Sequence, residues 1–366
     1  MRVLIDLTSL DDNFSGIEHY ALYITKELIK NKDVHYHLVF KNQIKYFSSL
    51  ELEQENISTK ILSGDRKTIL LFSLSKYINK YKPDYALFLA FQPSPFFKPN
   101  NRTKVISMIH DMVPFDVPET MKMVHKIFFK RCIKHALKIS TEIITNSNFS
   151  KSRILFYNKK MNPNKIHVAY SSSSMPIVSK SFDYLKKQYG LPDEYLLALS
   201  TVEPRKNFAN LIKWLDELWS ENKLKYDLVI VGRKGWKTDG ILKDIRNKGK
   251  IHFTGFVDEN DISSIYSYSL CFLFPSIYEG FGTPLVESIV SNKLPVCSSI
   301  DVFKEIIGED YPFFFDCRDK VQFFEALFKF LGADEQKKAE ILQRISKKTE
   351  QFKWIESAKV INGLFK

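Results

Sequence analysis

No stretch of the 366 residues approaches the ~20 uncharged apolar residues that a membrane-spanning helix needs. No basic-then-apolar leader opens the chain either, so a protein made and kept in the cytosol is expected. The four cysteines, Cys132, Cys271, Cys297 and Cys317, form no C-x-x-C pair, and most lie in apolar stretches. They read as reduced structural thiols, which excludes a disulfide scaffold. Zinc-type spacing, an RNP-like aromatic strand motif and a basic zipper are also missing, so nucleic acid ranks low as a partner despite a net charge of +12. His35 and His37 share one face of a predicted strand as two metal ligands might, but no third ligand accompanies them. No internal repeat is visible, and the one low-complexity tract is a run of serines.

What the chain does contain is 44% hydrophobic residues, enough at this length for two cores. Strand patterns near 2–7, 34–40, 85–90, 104–109, 142–147 and 165–171 are separated by helical patterns near 17–30, 68–81, 121–138 and 149–158. A second series of strands falls near 195–200, 227–232, 251–254, 270–275 and 295–299, and helical patterns fill the region from about 319 onward. Alternation of this kind implies parallel sheets covered on both faces. The polar stretch Ser171 to Lys180 interrupts it as a linker. The expected fold is α/β, with two Rossmann-like, doubly wound parallel-sheet domains facing a cleft.

The most informative segment is CFLFPSIYEGFGTPLVESIVSNKLPVCSS, in which seven residues separate Glu279 from Glu287. The apolar run Cys271 to Phe274 predicts a buried strand, Gly280 and Gly282 a tight loop, and Thr283-Pro284 a helix start. Glu279 then precedes the helix and Glu287 lies one to two turns inside it. Glycines let backbone N–H groups approach a ligand, and a helix start favours a phosphate. Carboxylates accept hydrogen bonds from vicinal hydroxyls, so two of them beside such a cradle suit a sugar nucleotide. A strand–loop–helix unit with solvated glutamates explains the loop equally well. Upstream, the strand Leu196 to Leu199 runs into Glu203-Pro204-Arg205-Lys206 and a helix capped by Asn207 or a neighbour. Two cations at the carboxyl end of a parallel strand would face a diphosphate; in isolation they also read as a solvated turn.

Together these stretches resemble the retaining GT-B glycosyltransferases of family four, which carry an E-x-x-x-x-x-x-x-E element and an upstream E-P-R-K element. The resemblance covers nearly the whole chain. RVLIDLTSLDDNFSGIEHYALYITKEL is similar to the family's first strand, glycine loop and helix, with Gly16 in the loop. VISMIHDMVPFDVPE resembles its His-Asp strand end and TNSNFSKSRIL its Ser-x-F-S helix start. LVIVGRKGW and IHFTGFVDENDISSIYSYS look like the strands and turns leading to the base pocket, and FKWIESAKVINGLF like the closing helix.

The resemblance implies an acceptor-binding domain over 1–175, a nucleotide-sugar-binding domain over 176–349, and a last helix, 350–366, crossing back to the first. It implies a metal-independent enzyme that moves a hexose or deoxyhexose from a nucleotide diphosphate sugar to a lipid-linked saccharide. GDP-mannose or dTDP-rhamnose is the expected donor, with UDP-hexose next. Arg205 and Lys206 would hold the diphosphate with backbone N–H groups at Gly16, Gly282 and Thr283. Glu279, with Gly280 and Phe281, would orient the sugar, Glu287 would grip the ribose, and main chain near Val257 the base. His110 would act beside the donor sugar across the cleft, and Asp111 on the acceptor side. No D-x-D element occurs, which argues against transferases that hold the diphosphate through a divalent cation. No residue is poised as a covalent nucleophile, so retention is implied by the family alone. A sugar-nucleotide epimerase of the same architecture and a non-catalytic partner subunit are the alternatives. The motifs do not fix the oligomeric state.

The charge excess needs more than a nucleotide donor. In TMKMVHKIFFKRCIKHALKIS, Lys122, Lys126, Lys130, Lys134 and Lys138 recur every four residues beside Ile127, Phe128, Ile133, Ala136 and Leu137. Drawn as a helix, this places a basic stripe beside an apolar one, suited to an anionic membrane surface. A core helix with a solvated lysine face is the other reading. On the first, the protein is cytoplasmic and peripheral on the inner face of the membrane.

Overall fold

The computed structural model describes residues 1–10, 16–41, 50, 52–173, 175–233 and 240–366. Residues 11–15 of the expected glycine loop, Ser174 of the linker and Lys234 to Trp236 of the GRKGW turn lie outside the described residues. The chain divides into two units, Met1–Ser172 together with Phe352–Lys366, and Ser173–Gln351.

The first unit holds seven strands: β1 (Arg2–Asp6), β2 (His35–Phe40), β3 (Ile57–Ile61), β4 (Tyr85–Phe88), β5 (Lys104–Met108), β6 (Glu142–Thr145) and β7 (Ile166–Val168). They lie in the order β3-β2-β1-β4-β5-β6-β7, and every pair is parallel. Strands β1 and β4 are nearly continuous apolar runs because helices cover both their faces. Strand β3 escapes the sequence pattern. Its residues, Ile57 to Ile61, are half-buried or exposed, so no apolar alternation marks them, and pairing with Tyr36 to Phe40 of β2 holds them at the sheet edge.

The helix Gly16–Leu28 buries Tyr20, Ala21, Ile24 and Leu28 in one core with Ile5, Leu7, Tyr36, Leu38 and Leu87. The last helix, Trp354–Asn362, joins that core through Ala358 and Ile361. Trp354 stacks on Tyr23 at 5.7 Å and meets the Tyr20 ring edge-on at 5.6 Å. Ser357 Oγ donates to the Tyr170 carbonyl at 2.6 Å, and Tyr36 OH donates to Asn362 Oδ1 at 3.2 Å.

His35 and His37 belong to a hydrogen-bonded chain. Ser58 Oγ lies 3.0 Å from His35 Nε2 and 2.7 Å from His37 Nδ1, while His37 Nε2 is 2.7 Å from Tyr77 OH. Among the described residues no group of three or more His, Cys, Asp or Glu is arranged to hold a metal.

The second unit holds β8 (Tyr195–Leu199), β9 (Asp227–Val231), β10 (Ile251–Gly255), β11 (Phe272–Phe274), β12 (Pro295–Ser298) and β13 (Phe314–Phe315). Their order is β10-β9-β8-β11-β12-β13, again with every pair parallel. The chain winds outward from β8 in one direction and from β11 in the other. Neighbouring strands that start in opposite directions form a topological switch point, and ligands of open parallel sheets bind outside their carboxyl ends. In this unit that place lies after Leu199 and Phe274. The first unit has its own switch point, where β1 adjoins β4.

Burial, with lesser repulsion from His35 and Lys60, holds the His37 imidazole down to about 4 from an ordinary 6.5. The unfolded chain therefore takes up a proton that the folded one refuses. His37 contributes stability in full above about pH 6.5 and loses it as pH falls towards about 4. His37→Gln should flatten the fall in melting temperature between pH 6.5 and 4, read by circular dichroism; an unchanged slope would contradict this assignment.

Candidate functional site

Two loops build the site, one after β8 and one after β11. The first is pinned where the Ser200 and Val202 amides donate to the carbonyls of Val231 and Arg233, at 3.0 and 2.9 Å. Pro204–Lys206 then makes one 3-10 turn. The second loop is tied to it where the Ile277 amide donates to the Arg205 carbonyl at 2.9 Å. Residues over seventy positions apart in the chain are thus fixed against each other by main chain.

The side chains form a charged cluster. Lys206 Nζ lies 2.7 Å from Glu279 Oε1, and Arg205 Nη1 lies 2.6 Å from Glu279 Oε2. Ser276 Oγ donates to Glu279 Oε1 at 2.7 Å. Arg205 Nη2 reaches Glu203 Oε1 at 2.8 Å, and Nη1 also donates to the Tyr278 carbonyl at 2.9 Å. Lys206 Nζ sits 5.5 Å from the centre of the Phe274 ring. Glu203, Lys206 and Glu279 are each more than nine-tenths buried. Ionised groups at such depth persist only when paired, and here two carboxylates balance two cations.

Burial alone would raise the Glu279 carboxyl, but Arg205, Lys206 and the Ser276 hydroxyl outweigh it and hold it down to about 2. Burial pulls the Lys206 ammonium below its usual range, opposed by Glu279. Glu279 is therefore an anion at neutral pH.

Beyond Glu279 the chain turns through buried Gly280 and Phe281 to Gly282, whose φ of 98° opens the helix Thr283–Val290. A Cβ on Gly282 would stand 2.6 Å from the Phe303 ring and 3.6 Å from that of Phe274. Both backbone and packing therefore require glycine. Thr283 and Pro284 form the first turn, and Glu287 lies half-buried just over one turn in. Val257 is buried beside Gly255, whose φ is 71° and whose carbonyl accepts the Gly232 amide at 3.0 Å.

Two departures concern individual residues. Asn207 holds the N-cap position of the helix Phe208–Ser220, yet its side chain makes no cap bond. Its φ of 61° turns the amide away, and Nδ2 donates instead to the Cys317 carbonyl at 2.7 Å. Ser276 and the Glu203 side chain were not anticipated as members of the cluster. Glu203 carried a signal through its place beside Arg205 in E-P-R-K, whereas nothing distinguished Ser276 from other loop serines.

In the first unit, Gly16 is an exposed helix start, and a Cβ there would meet nothing within 4 Å. His110 follows β5 and is buried, with Nε2 donating to the Leu89 carbonyl at 2.9 Å and the ring edge-on to Tyr20 at 5.1 Å. Burial holds its imidazole down to about 4, against opposing main-chain hydrogen bonds at Leu89 and Ala90. Asp111 Oδ1 accepts the Val113 amide at 3.0 Å.

The basic segment forms the helix Met123–Ile139, whose second half buries Cys132, Ile133, Ala136 and Leu137. Its lysines do not form one outward stripe. Lys122, Lys134 and Lys138 are exposed, whereas Lys126 and Lys130 are half-buried, Lys130 lying 5.0 Å from the Phe115 ring. The outer face carries Met123, Val124 and Ile127, then Arg131, Lys134 and Lys138.

Residues 182–351 match the family described as glycosyl transferases group 1. The fold is shared with Anabaena HepE, solved in complex with UDP and glucose, at a TM-score of 0.73 over 99% of this chain and 98% of that one, with 16% identity. The fold is GT-B, and the second unit carries the glycosyl transferases group 1 domain. Two of the chain's curated relatives are similar over most of their length. O-antigen chain mannosyltransferase B of Escherichia coli is 24% identical over 325 residues, 84% of this chain and 85% of that protein. O-antigen chain mannosyltransferase RfbU of Salmonella typhimurium is 28% identical over 315 residues, 83% of this chain and 84% of that protein. The match of the second unit to this family argues against the epimerase reading.

Gly282→Ala should destabilise this glycosyltransferase by about 1–3 kcal/mol, from strain at a positive φ and a forced shift of Phe303. Urea denaturation followed by circular dichroism reads the change; a value near zero would contradict the assigned loop geometry.

Proposed function

We propose that the protein transfers a hexose or deoxyhexose, with retention and without a metal, from a nucleotide diphosphate sugar to a hydroxyl of a lipid-linked saccharide. The observation that carries this reading is the Arg205–Lys206 pair, held against Glu279 at the switch point of the second unit. Breaking the anomeric C–O bond builds negative charge on the leaving phosphate, and preorganised cations in a buried site oppose that charge most strongly. Arg205 and Lys206 supply it, which is the task a divalent cation performs in other transferases. The Gly282–Thr283 helix start adds backbone N–H groups. Glu279 orients the sugar through its hydroxyls, Gly280 and Phe281 shape the turn beside it, Glu287 holds the ribose hydroxyls, and main chain near Val257 takes the base.

In the step itself, the bond from the anomeric carbon to the phosphate oxygen breaks, and the acceptor oxygen bonds to the same face. The acceptor proton passes to the leaving phosphate, so no protein nucleophile is used. In the first unit, His110, neutral at pH 7, is suited to hydrogen-bond a sugar hydroxyl. The first unit takes the acceptor, with Asp111 on that side. The O-antigen mannosyltransferases among its relatives favour GDP-mannose as donor and cell-surface polysaccharide as product. dTDP-rhamnose ranks next and UDP-hexose after it.

A lipid-linked acceptor places the enzyme on the cytoplasmic face of the membrane. Among the described residues no helix is long and apolar enough to cross one, and the contact proposed is peripheral. The helix Met123–Ile139 offers it. Met123, Val124 and Ile127 are 65%, 75% and 45% exposed, and no acidic residue occurs from Met121 to Thr141. Lys122, Lys126 and Lys130 flank the apolar tip. Near its other end, Lys134 and Lys138 join Lys159, Lys160, Phe156 and Tyr157 around an open groove of about 670 Å³.

Thermal melting against GDP-, UDP-, dTDP- and CDP-linked sugars should show stabilisation by one nucleotide class, and Lys206→Ala should lose transfer at least ~100-fold with its fold intact. Full activity in that variant would remove the site assignment. Separately, Arg131→Glu, Lys134→Glu and Lys138→Glu together should abolish sedimentation with phosphatidylglycerol vesicles, each charge contributing about 1 kcal/mol. Unchanged sedimentation would show that this helix is not the anchor.

A further inference from the structure

The Glu279 carboxylate already occupies both cations that the donor reading assigns to the diphosphate. Oε1 accepts from Lys206 and from Ser276, and Oε2 from Arg205, all within 2.7 Å. The remaining arm of Arg205 is paired with Glu203, so Glu279 is the anion shared by both cations. A carboxylate in this position resembles a phosphate oxygen pair in charge and in the donors it requires. A diphosphate bound by the same two side chains competes with Glu279 for them.

Resting on the donor-site reading above, we infer that Glu279 is the resident counter-anion of the diphosphate site and thereby sets its preference for nucleotide sugars over bare nucleotides. An incoming diphosphate takes Lys206 and Arg205 from Glu279. The freed carboxylate is then left in a buried site with the Ser276 hydroxyl and whatever donors the ligand provides. The hydroxyls of an intact donor sugar supply them; a sugarless nucleoside diphosphate does not, and it strands a buried anion with too few hydrogen bonds. The same exchange operates in reverse after transfer. Once the sugar has left, Glu279 recovers its two cations and the spent nucleotide is displaced.

The arrangement yields an inverted effect that a purely sugar-holding carboxylate would not give. Removing the charge of Glu279 should weaken the intact donor and strengthen the sugarless product. A residue that only gripped sugar hydroxyls would leave the affinity of the bare diphosphate unchanged.

The test is calorimetric titration of wild type, Glu279→Gln and Ser276→Ala with GDP, UDP and dTDP, alongside GDP-mannose, dTDP-rhamnose and UDP-glucose. Ser276→Ala retains every charge of the cluster, so it reports even if the unbalanced Lys206 prevents Glu279→Gln from folding. The wild type should bind a nucleotide sugar more tightly than its free diphosphate. In Glu279→Gln the free diphosphate should bind about ten-fold more tightly than to wild type, with the preference for the sugar lost. Ser276→Ala should shift the opposite way, weakening the free diphosphate further and widening the preference for the sugar, because the freed carboxylate then loses its hydroxyl donor. Diphosphate binding that is unchanged or weaker in folded Glu279→Gln, or unchanged or tighter in Ser276→Ala, with the wild type binding normally, overturns the counter-anion role alone. Absence of any nucleotide binding to the wild type overturns the donor-site reading and this inference with it.

Discussion

The site depends on one constraint: two cations and two carboxylates, nearly all of them buried, must neutralise one another within hydrogen-bond distance. Uncompensated, any one of them would cost several kcal/mol, so the fold has to place two separate loops in register. It does so with main chain. The amide-to-carbonyl bond from Ile277 to Arg205 and the switch point where β8 adjoins β11 set where Glu279 can reach. Gly282 then allows the chain to pass against Phe303 and start a helix at once. Sheet topology, a tight turn and a charge cluster are three consequences of a single arrangement.

Much of this was legible in the sequence because it is local. A buried strand shows as an apolar run, a tight turn into a helix as glycine followed by Thr-Pro, and the cations as neighbours in E-P-R-K. What the chain could not display is pairing through space. Nothing in the pattern says that Glu279 rests against Lys206 and Arg205, or that Ser276 supports it. The edge strand β3 was invisible because its residues are largely solvated, and β13 because it is two residues long. Asn207 has the residue type of a helix cap, but its positive φ sends the side chain elsewhere.

The basic helix illustrates how a spacing misleads. An α-helix repeats every 3.6 residues, so side chains four apart advance by about 40° at each step. The four lysines within the helix, Lys126 to Lys138, therefore drift by about 120° around it instead of lining one face. Some reach back over the protein, as Lys130 does over Phe115, and the outward face is taken by Met123, Ile127, Arg131, Lys134 and Lys138. Charge and exposed apolar surface still coincide on one helix, through Met123, Ile127 and Arg131 together with only part of the lysine set that the spacing picked out.

The central claim is that the cluster of Arg205, Lys206 and Glu279 receives the nucleotide diphosphate sugar. A crystal structure of the protein with an intact, slowly reacting donor tests it most directly. The account predicts diphosphate oxygens within hydrogen-bond distance of Lys206 Nζ and Arg205, with the Glu279 carboxylate turned onto the sugar hydroxyls. A donor bound elsewhere, or bound while Glu279 keeps both of its cations, would contradict it.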